Sequence, residues 1–361
     1  MKIVVFAGGV GTRLWPLSRK NTPKQFGKIV DEQTMLQIAV RKLFPDFDWK
    51  DIFISTGKKY YDTTLEQLPL LPKENIIVEP EMRDVGPAVG LVIAQLVKSS
   101  PDEPLVLLWG SDHLVKEEGL FRKMLRAAEK LIIEDPEKII FIGQKPRYGN
   151  QNVGYIKFGS ELKEIDGLPI HKFEGFKYAP PIEDAEKFSK DNQHAWNLGY
   201  FATTPKFLWK LFEQFSPDLF KQLNEISQAF GTEKYEDVLN RVYPTIEKIS
   251  FDHAILEKIN PKSGFVISAD IGWSDIGAWD ALKEALENHK EENVTRGNIE
   301  LRDTQDVLMF NYEKKLCIGI DLSEMVIINT DDVLLMCPKR SIPKIKKFVE
   351  NLKGTDHEHL I

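Results

Sequence analysis

The chain has 361 residues, of which 42% are hydrophobic, so it can bury a full core and is not a disordered chain. Its formal net charge of -7 and its lack of a basic stripe argue against a nucleic-acid partner. Two cysteines, Cys317 and Cys337, are too few for a disulfide or zinc framework, and no apolar run is long enough to span a membrane. We therefore expect a cytoplasmic protein without a membrane segment.

The opening segment carries the clearest signal. Residues 3–7 are apolar with no polar alternation, which predicts a strand buried on both faces. The strand ends in three closely spaced glycines, Gly8, Gly9 and Gly11, followed by Thr12. Such a loop can bend sharply and present N–H groups to an anion. Arg13 and Lys24 add positive charge, so we expect the anion to be phosphate.

Two other classes of glycine-rich loop fit this segment less well. A P-loop closes on Gly-Lys-Ser/Thr, and that sequence does not follow here. A dinucleotide-binding turn needs a third glycine where Leu14 stands and a helix that begins at once, whereas Pro16 interrupts such a helix. Asp31 stands near the right distance for a ribose contact, but no third glycine supports that interpretation.

Strands and helices alternate through the first 145 residues. Apolar spacing predicts a strand at 51–55, at 76–78, at 105–109 and at 138–143, with helices at 35–43, 85–99 and 121–133. Asp84 is the expected N-cap of the second of these helices. This alternation predicts an α/β fold with a doubly wound, mostly parallel sheet, whose ligands bind beyond the carboxyl ends of the strands. The glycine loop and Asp112 would both lie at that edge.

The pattern changes after residue 146. Strands are predicted at 153–158, 170–176, 196–201 and 264–269, with helices at 182–190, 205–215, 219–230 and 251–259. A charged segment at 287–298 predicts a boundary, which divides the chain into 1–288 and 289–361. The second part contains short apolar strands at 307–310, 316–320, 326–329 and 333–337 and a closing helix at 342–352. It predicts a small β-rich module, either β-helix-like or a sandwich.

The motifs resemble those of a known family. The stretch Gly8–Arg19 with Pro23–Phe26 closely resembles the signature loop of sugar-1-phosphate nucleotidyltransferases. Its Leu-Trp-Pro-Leu-Ser and Pro-Lys-Gln-Phe segments are similar to the mannose-1-phosphate guanylyltransferase branch, and Ser-Asp-His and Trp-Ser-Asp-Ile-Gly-Ala-Trp match further family motifs. The resemblance implies a Rossmann-like nucleotidyltransferase fold, with a nucleotide half at about 1–145 and a sugar-binding lobe at about 146–288.

The resemblance also implies a reaction. Such an enzyme transfers GMP from GTP to mannose 1-phosphate and releases GDP-mannose and pyrophosphate. Both substrates are anions, so the protein has to align them and neutralise charge at the reacting phosphate. Mg²⁺ is the expected cation, bound by one or two carboxylates. By their match to the family, Asp112 and Asp275 are its expected ligands. A homodimer is one assembly that the sequence leaves open.

Site residues follow from the same match. Arg13, Lys24, Asp112 and Asp275 are the expected catalytic residues. The expected nucleotide-binding residues lie in the opening segment or in the segments that follow the first strands: Gly8, Gly9, Gly11, Thr12, Arg13, Lys24, Glu79, Gly86, Ser111 and Asp112. The expected sugar-phosphate-binding residues are Gly154, Tyr155, Asn197 and Asp252. His113 is expected to be structural, and His253 receives no role.

Some positions depart from the family pattern. The family's Glu-Lys-Pro, whose acid and base grip the sugar phosphate, is replaced here by Tyr178-Ala179-Pro180, with Lys177 or Glu174 as candidate substitutes. The usual Arg-Asn-Thr-Ala-Pro-Ala is here Arg83–Ala88, and Leu198 replaces a customary serine. Two alternatives therefore stay open. One is transfer to another sugar phosphate or from another triphosphate. The other is a non-catalytic paralogue that binds a sugar nucleotide.

Overall fold

The computed structural model describes residues 1–9 and 13–361. Its strands are β1 (Lys2–Phe6), β2 (Ile52–Gly57), β3 (Ile76–Glu79), β4 (Leu105–Leu108), β5 (Ile139–Gln144), β6 (Tyr155–Ile165), β7 (Leu168–Lys177), β8 (His194–Thr203), β9 (Gly264–Ala269), β10 (Val294–Arg296), β11 (Ile299–Arg302), β12 (Leu308–Asn311), β13 (Cys317–Ile320), β14 (Met325–Asn329) and β15 (Leu334–Pro338).

The α-helices within the described residues are α1 (Met35–Arg41), α2 (Tyr61–Gln67), α3 (Val85–Ser99), α4 (Glu118–Glu134), α5 (Ile182–Phe188), α6 (Pro205–Phe215), α7 (Pro217–Ala229), α8 (Tyr235–Val242), α9 (Phe251–Ala254), α10 (Trp279–Leu286) and α11 (Lys344–Glu350). None of them combines the length and the apolar composition that crossing a bilayer requires. Both cysteines are free thiols.

The chain packs as two compact units. Unit 1 consists of Met1–Gly8, Ala39–Ser111 and Val115–Ile271, and unit 2 consists of Gly9–Ile38, Asp112–Leu114 and Gly272–Ile361. The predicted boundary at residue 288 concerns a different division of the chain, and it stays a prediction. Each unit is built around its own apolar core.

Unit 1 contains one nine-stranded sheet with the order β3-β2-β1-β4-β8-β5-β9-β7-β6. Strands β1 to β4 pair in parallel, β8 runs antiparallel between β4 and β5, and β9 is parallel to β5. The sheet is therefore mostly parallel on its nucleotide half, as predicted. An additional pairing of β8 with β6 closes the far end of the sheet on itself.

The core of unit 1 lies between this sheet and the helices packed on it. Helix α3 is apolar on almost every side, with Val89, Leu91, Val92 and Ile93 fully buried, and it packs against α6, α7 and α9. Asp84 caps it as predicted, because its carboxylate accepts the backbone N–H of Val85 at 2.7 Å. The cap fixes where the helix begins after β3.

Unit 2 builds a small β-helix-like module. Successive strands alternate between two sheets, β10-β12-β14-β15 and β11-β13, and all pairings except β14 with β15 are parallel. This arrangement selects the β-helix-like prediction over the sandwich. Gly297, at φ +96°, makes the turn between β10 and β11, where a Cβ atom would lie 2.0 Å from the carbonyl oxygen of Asn311.

The opening segment of the chain belongs to the core of unit 2. Leu14, Trp15 and Ile29 are buried with Trp279 of α10, Phe310 of β12 and Ile345 of α11. Two indole hydrogen bonds fix this core: Trp279 Nε1 donates to the carbonyl of Trp15 at 3.0 Å, and Trp15 Nε1 donates to the carbonyl of Leu360 at 2.8 Å. The guanidinium of Arg19 donates two hydrogen bonds of 2.6 Å to the Asp332 carboxylate.

Several predicted elements differ from the structure. The helix predicted at 251–259 is a single turn, Phe251–Ala254, because Ile255 leaves helical geometry at φ -131° and a 3-10 turn follows at Leu256–Lys258. The strands predicted at 153–158 and 170–176 extend to 11 and 10 residues as β6 and β7. Helices α2, α8 and α10 were not predicted; they have seven or eight residues each, too few for a clear periodic signal.

Candidate active site

Three predicted catalytic residues meet inside unit 2. Lys24 stands on a short 3-10 turn, Lys24–Phe26, which begins after Pro23. Its ammonium group forms an ion pair with the Asp112 carboxylate and lies 3.3 Å and 3.4 Å from the backbone carbonyls of Asp275 and Ile276. Both side chains of the ion pair are mostly buried. One lysine thus contacts the two segments that supply the expected metal ligands.

A short bridge holds these two segments together. Leu114 and Ser274 form an antiparallel bridge with backbone hydrogen bonds of 2.9 Å and 3.1 Å. Beside it, Trp273 Nε1 donates to His113 Nδ1 at 3.1 Å, and the two rings meet edge to face at 84°. This hydrogen bond supports the expected structural role of His113. The bridge and the ring contact set the positions of Asp112 and Asp275 from both sides.

The turn that carries Asp275 is strained. Ile276 adopts φ +40°, which is rare for a β-branched residue, and its side chain is fully buried. The backbone N–H of Gly277 donates to Asp275 Oδ1 at 3.1 Å and orients the carboxylate. Strained backbone of this kind persists where surrounding structure holds it, and it is common at functional sites.

The charges at this cluster favour the ionised form of Asp112. Burial would raise the pKa of Asp112, but the charges of Lys24 and His113 and the Lys24 hydrogen bond outweigh it, so the pKa lies below its ordinary value. No group of three or more His, Cys, Asp or Glu side chains in the described residues could hold a metal alone. Mg²⁺ needs only one or two protein carboxylates when phosphate oxygens and water complete its shell. The oxygen donors of Asp112 and Asp275 fit that requirement.

The described part of the glycine loop is open. Gly8 and Gly9 are exposed, Gly9 has φ +94°, and no described atom lies within 4 Å of a Cβ built on either residue. Buried Gln25 donates from Nε2 to the carbonyl of Gly9 at 3.1 Å, which ties the loop to the Lys24 turn. Gln25 belongs to the Pro-Lys-Gln-Phe motif, but the sequence predicted no role for it. Gly11 and Thr12 lie outside the described residues, and Arg13, the next described residue, is exposed.

A second group of predicted nucleotide-binding residues lies in unit 1. Gly8, Glu79 and Ser111 stand at or just after the carboxyl ends of β1, β3 and β4, which share one edge of the sheet. The hydroxyl of Tyr243 donates to Glu79 Oε2 at 2.8 Å, and both side chains are buried. Burial raises the pKa of Glu79 to about 7, although the hydrogen bond from Tyr243 opposes the rise. Tyr243 carried no sequence signal that would have selected it.

Gly86 stands in the first turn of α3, where another segment approaches closely. Its N–H donates to the carbonyl of Ile249 at 3.0 Å, and a Cβ at this position would lie 2.5 Å from the same oxygen. A side chain cannot fit there without a backbone shift. The glycine therefore has a packing reason in addition to its predicted role in nucleotide binding.

The expected sugar-phosphate residues all belong to unit 1. Gly154 and Asn197 are neighbours, because Asn197 N donates to the Gly154 carbonyl at 2.8 Å, and Asn197 Oδ1 accepts the N–H of Gly199 at 3.0 Å. Tyr155 is fully buried, and its hydroxyl accepts hydrogen bonds from Asn150 N at 2.9 Å and Trp196 Nε1 at 3.1 Å. Its side chain thus serves the fold, and only its backbone is left for a ligand.

Asp252 is the fourth of the expected sugar-phosphate residues. It is part of α9, which packs against α3. Its Oδ1 atom is buried and has no hydrogen-bond partner among the described residues, and burial raises the pKa of Asp252 to about 6. A buried carboxylate oxygen without a partner is costly, so a hydrogen-bond donor from a bound ligand would satisfy it.

The two candidate substitutes for the family's Glu-Lys pair differ in position. Glu174 forms an ion pair with Lys157 at 3.2 Å on the β6–β7 hairpin. Lys177 ends β7 and pairs in register with Tyr155, next to Gly154. Lys177 is exposed and has no ion-pair partner in the part of the chain that the structure describes. Of the two, Lys177 is better placed to reach a phosphate beside Gly154.

The chain is similar over nearly its whole length to known proteins. The family model for nucleotidyl transferase matches residues 2–292. A mannose-1-phosphate guanylyltransferase of Escherichia coli is 30% identical over 354 residues, which cover 97% of this chain and 75% of that protein. Mannose-1-phosphate guanylyltransferase 2 of Escherichia coli O157:H7 is 31% identical over 360 residues, which cover 97% of this chain and 73% of that protein.

Solved structures show the same relationship. A crystal structure described as mannose-1-phosphate geranyltransferase from Thermus thermophilus has a TM-score of 0.85 and 25% identity, and the match covers 98% of this chain and 99% of that one. The match extends over both units. These findings show that the chain belongs to the nucleotidyl transferase family and is a sugar-phosphate nucleotidyltransferase similar to the mannose-1-phosphate guanylyltransferases.

Proposed function

We propose that the protein transfers GMP from GTP to mannose 1-phosphate in a Mg²⁺-dependent reaction that gives GDP-mannose and pyrophosphate. The observation that carries this proposal is the contact of the Lys24 ammonium with the Asp112 carboxylate and with the carbonyls of the Asp275 turn. The names of the similar guanylyltransferases support the choice of substrates.

Each group of residues has a distinct task in this proposal. The amides of Gly8 and Gly9, with Arg13, bind the triphosphate. Lys24 neutralises charge on the phosphate oxygens and keeps Asp112 ionised. The mannose 1-phosphate oxygen attacks the α-phosphorus of GTP, a new P–O bond forms, and the bond to pyrophosphate breaks. A Mg²⁺ ion held by Asp112 and Asp275 would supply further positive charge to these phosphates.

The remaining predicted residues would recognise the two substrates. Glu79 and Gly86 would contact the nucleoside, and Gly154, Asn197 and Asp252 would contact the sugar phosphate. Lys177 would replace the missing family lysine at the sugar phosphate. The backbone of Tyr155 would contact the sugar phosphate, and Ser111, which precedes Asp112, would contact the nucleotide. A cytoplasmic location and a homodimer also stay predictions.

The experiment is a pyrophosphate-release assay with purified protein, GTP, mannose 1-phosphate and Mg²⁺. We expect turnover that stops when EDTA removes the metal and returns when Mg²⁺ is added in excess. A folded protein that releases no pyrophosphate with any triphosphate and any sugar phosphate would contradict nucleotidyl transfer by this chain.

One observation favours a second candidate, transfer to a different sugar 1-phosphate. Glu174, the candidate substitute for the family's acid, is held in an ion pair with Lys157 instead. A panel of triphosphates and sugar 1-phosphates separates the candidates, since a site built to pair polar groups strongly rejects a ligand that lacks the partner. If kcat/KM were at least tenfold higher for another sugar 1-phosphate than for mannose 1-phosphate, that sugar phosphate would be the substrate in place of mannose 1-phosphate.

A further inference from the structure

Unit 1 contains a cavity of about 210 Å³ that the proposed reaction does not use. It opens where β5 ends and β8 begins. Its walls come from the segment after β5, the β6–β7 hairpin, the loop before β8 and the end of β9, and the polar residues among them are Lys145, His171, Ser189, Asn192, His194 and Ser268. None of these residues is among the predicted nucleotide, sugar-phosphate or metal ligands.

Several polar side chains that line this cavity keep a hydrogen-bonding atom without a partner among the described residues. The Lys145 ammonium has no hydrogen bond or ion pair within the described residues. His194 uses Nδ1 for a 2.7 Å hydrogen bond with Asp191, and His171 uses Nδ1 for a 3.2 Å contact with the carbonyl of Gly159. Each Nδ1 therefore donates to an oxygen, so Nε2 accepts in the neutral ring and donates to an anion only in the imidazolium form. The contact with the Asp191 carboxylate orients the His194 ring.

The charge of the cavity is opposite to that of the whole protein. The chain has 55 acidic and 48 basic residues, yet none of the described side chains that line the cavity is acidic. A lysine, an amide and hydroxyls form a donor set suited to a small oxyanion, and each of the two rings adds a donor at Nε2 when it is protonated. A neutral sugar or a cation bound here would leave the Lys145 ammonium group without a negative partner, so an anion fits the cavity better.

An apolar wall limits the ligand further. Phe158, Phe188 and Pro146 line the same cavity, and the Phe188 ring stacks on His194 with centroids 4.0 Å apart. A volume of this size holds about seven waters at liquid density, which is room for a phosphate with a small ring or chain attached. The geometry points to a second anion site that binds a small phosphate monoester, with its phosphate on Lys145 and its organic part against the phenylalanines.

The site is independent of the proposed reaction, so either conclusion can fail without the other. The test uses the full chain with isotope-labelled histidine at about pH 6, where an ordinary imidazole is largely protonated. Inorganic phosphate and phenyl phosphate are titrated in separate experiments, and the ring signals of the seven histidines are followed by NMR. His171→Asn and His194→Gln variants assign the two signals of interest.

We expect the His171 and His194 signals to shift together and to saturate, with tighter binding of phenyl phosphate than of inorganic phosphate. Lys145→Met should weaken the apparent affinity about tenfold, because a charge-assisted contact is lost. Lys172→Met is the matched control: it removes an exposed lysine next to His171 that does not line the cavity, and it should leave the affinity unchanged.

Three results would overturn the inference. The first is a shift that grows linearly without saturation, which indicates an adventitious ion only. The second is an unchanged affinity in Lys145→Met. The third is loss of the His171 and His194 shifts in Lys24→Met, since that would trace them to phosphate bound at the candidate active site rather than in this cavity.

Discussion

At the scale of single residues, the Asp275 turn combines strain with a well-oriented carboxylate. Ile276 at φ +40° and the hydrogen bond from Gly277 N to Asp275 Oδ1 hold the side chain before any ligand arrives. Such preorganisation lowers the cost of placing charge where a transition state needs it. The carboxylate is thus better explained by ligand binding than by stability.

The first prediction follows from this turn. Asp275→Asn should lower kcat by at least about 100-fold, because an amide keeps the hydrogen bond to Gly277 but holds Mg²⁺ poorly. The unfolding free energy should change by less than about 1 kcal/mol. Pyrophosphate release and chemical denaturation measure the two quantities. Asp280→Asn, at an exposed position of α10, is the control and should retain the full rate.

The contact between Tyr243 and Glu79 predicts a pH dependence of stability. Burial raises the pKa of Glu79 from 4.5 to about 7, so the folded protein binds this proton more tightly than the unfolded chain does. Stabilisation that is complete below pH 4.5 is therefore lost as the pH rises through 7. Its magnitude is about 3 kcal/mol.

Glu79→Gln tests this linkage, because glutamine stays neutral and can still accept the Tyr243 hydrogen bond. Between about pH 4.5 and pH 8, the variant should gain about 3 kcal/mol in unfolding free energy relative to the unmodified protein. Denaturation curves at both pH values give the difference. Glu74→Gln, at an exposed position, should show no such gain. If the unfolding free energy of the Glu79 variant changed with pH as that of the unmodified protein does, the raised pKa of Glu79 would be refuted.

At the scale of elements, the packing of α7 against α3 determines which residue can stand at position 90. A Cβ atom at Gly90 would lie 2.3 Å from Leu223 Cδ1 on α7, and Leu223 is fully buried. The glycine is unfavourable for the helix by about 1 kcal/mol. Glycine stands here nevertheless because α7 packs too close to α3 to leave room for a side chain.

Gly90→Ala should therefore lower the unfolding free energy by about 1 kcal/mol net, because overpacking costs more than the helix gains. Gly119→Ala in α4 is the matched control: its Cβ would meet only Arg122 Nη2, at 3.9 Å, so the protein should be stabilised slightly. In a double-mutant cycle, Leu223→Ala should cost less in the Gly90→Ala background than alone. Additive effects would show that the clash is relieved elsewhere.

At the scale of the whole molecule, the opening segment and the C-terminal β-helix-like module share one core in unit 2. Trp15, Ile29 and Met35 are buried in the same cluster as Phe310 and Ile328. This core supports the Lys24 turn. The C-terminal module is therefore expected to affect catalysis through the glycine-loop segment, although it supplies no predicted catalytic residue beyond residue 288.

Phe310→Ala tests this dependence. Removing a fully buried phenylalanine costs about 3 to 5 kcal/mol, and hydrogen exchange should rise at residues 13–38 as well as in the C-terminal strands. Phe212→Ala, equally buried in unit 1, is the control and should raise exchange within unit 1. Exchange that rises only after residue 288 would instead support an independent module with the predicted boundary.

The sequence alone determined the features that local chemistry controls. Apolar runs and helical spacing specified most strands and helices, and glycines at the end of β1 specified an open loop, because backbone propensity and periodicity act over a few residues. The Asp84 cap and helix α6 were predicted for the same reason. The family motifs selected Lys24, Asp112 and Asp275, but not how they meet.

Only the tertiary structure decided the contacts between distant segments. The Lys24 ion pair with Asp112, the Gln25 bond to Gly9, the Tyr243 bond to Glu79 and the cavity at Lys145 each join residues whose sequence contexts carry no trace of the partner. Such pairs depend on how the strands are ordered and how the helices pack. Buried polar groups then take whichever partner the fold places within hydrogen-bonding distance, since leaving them without one is costly.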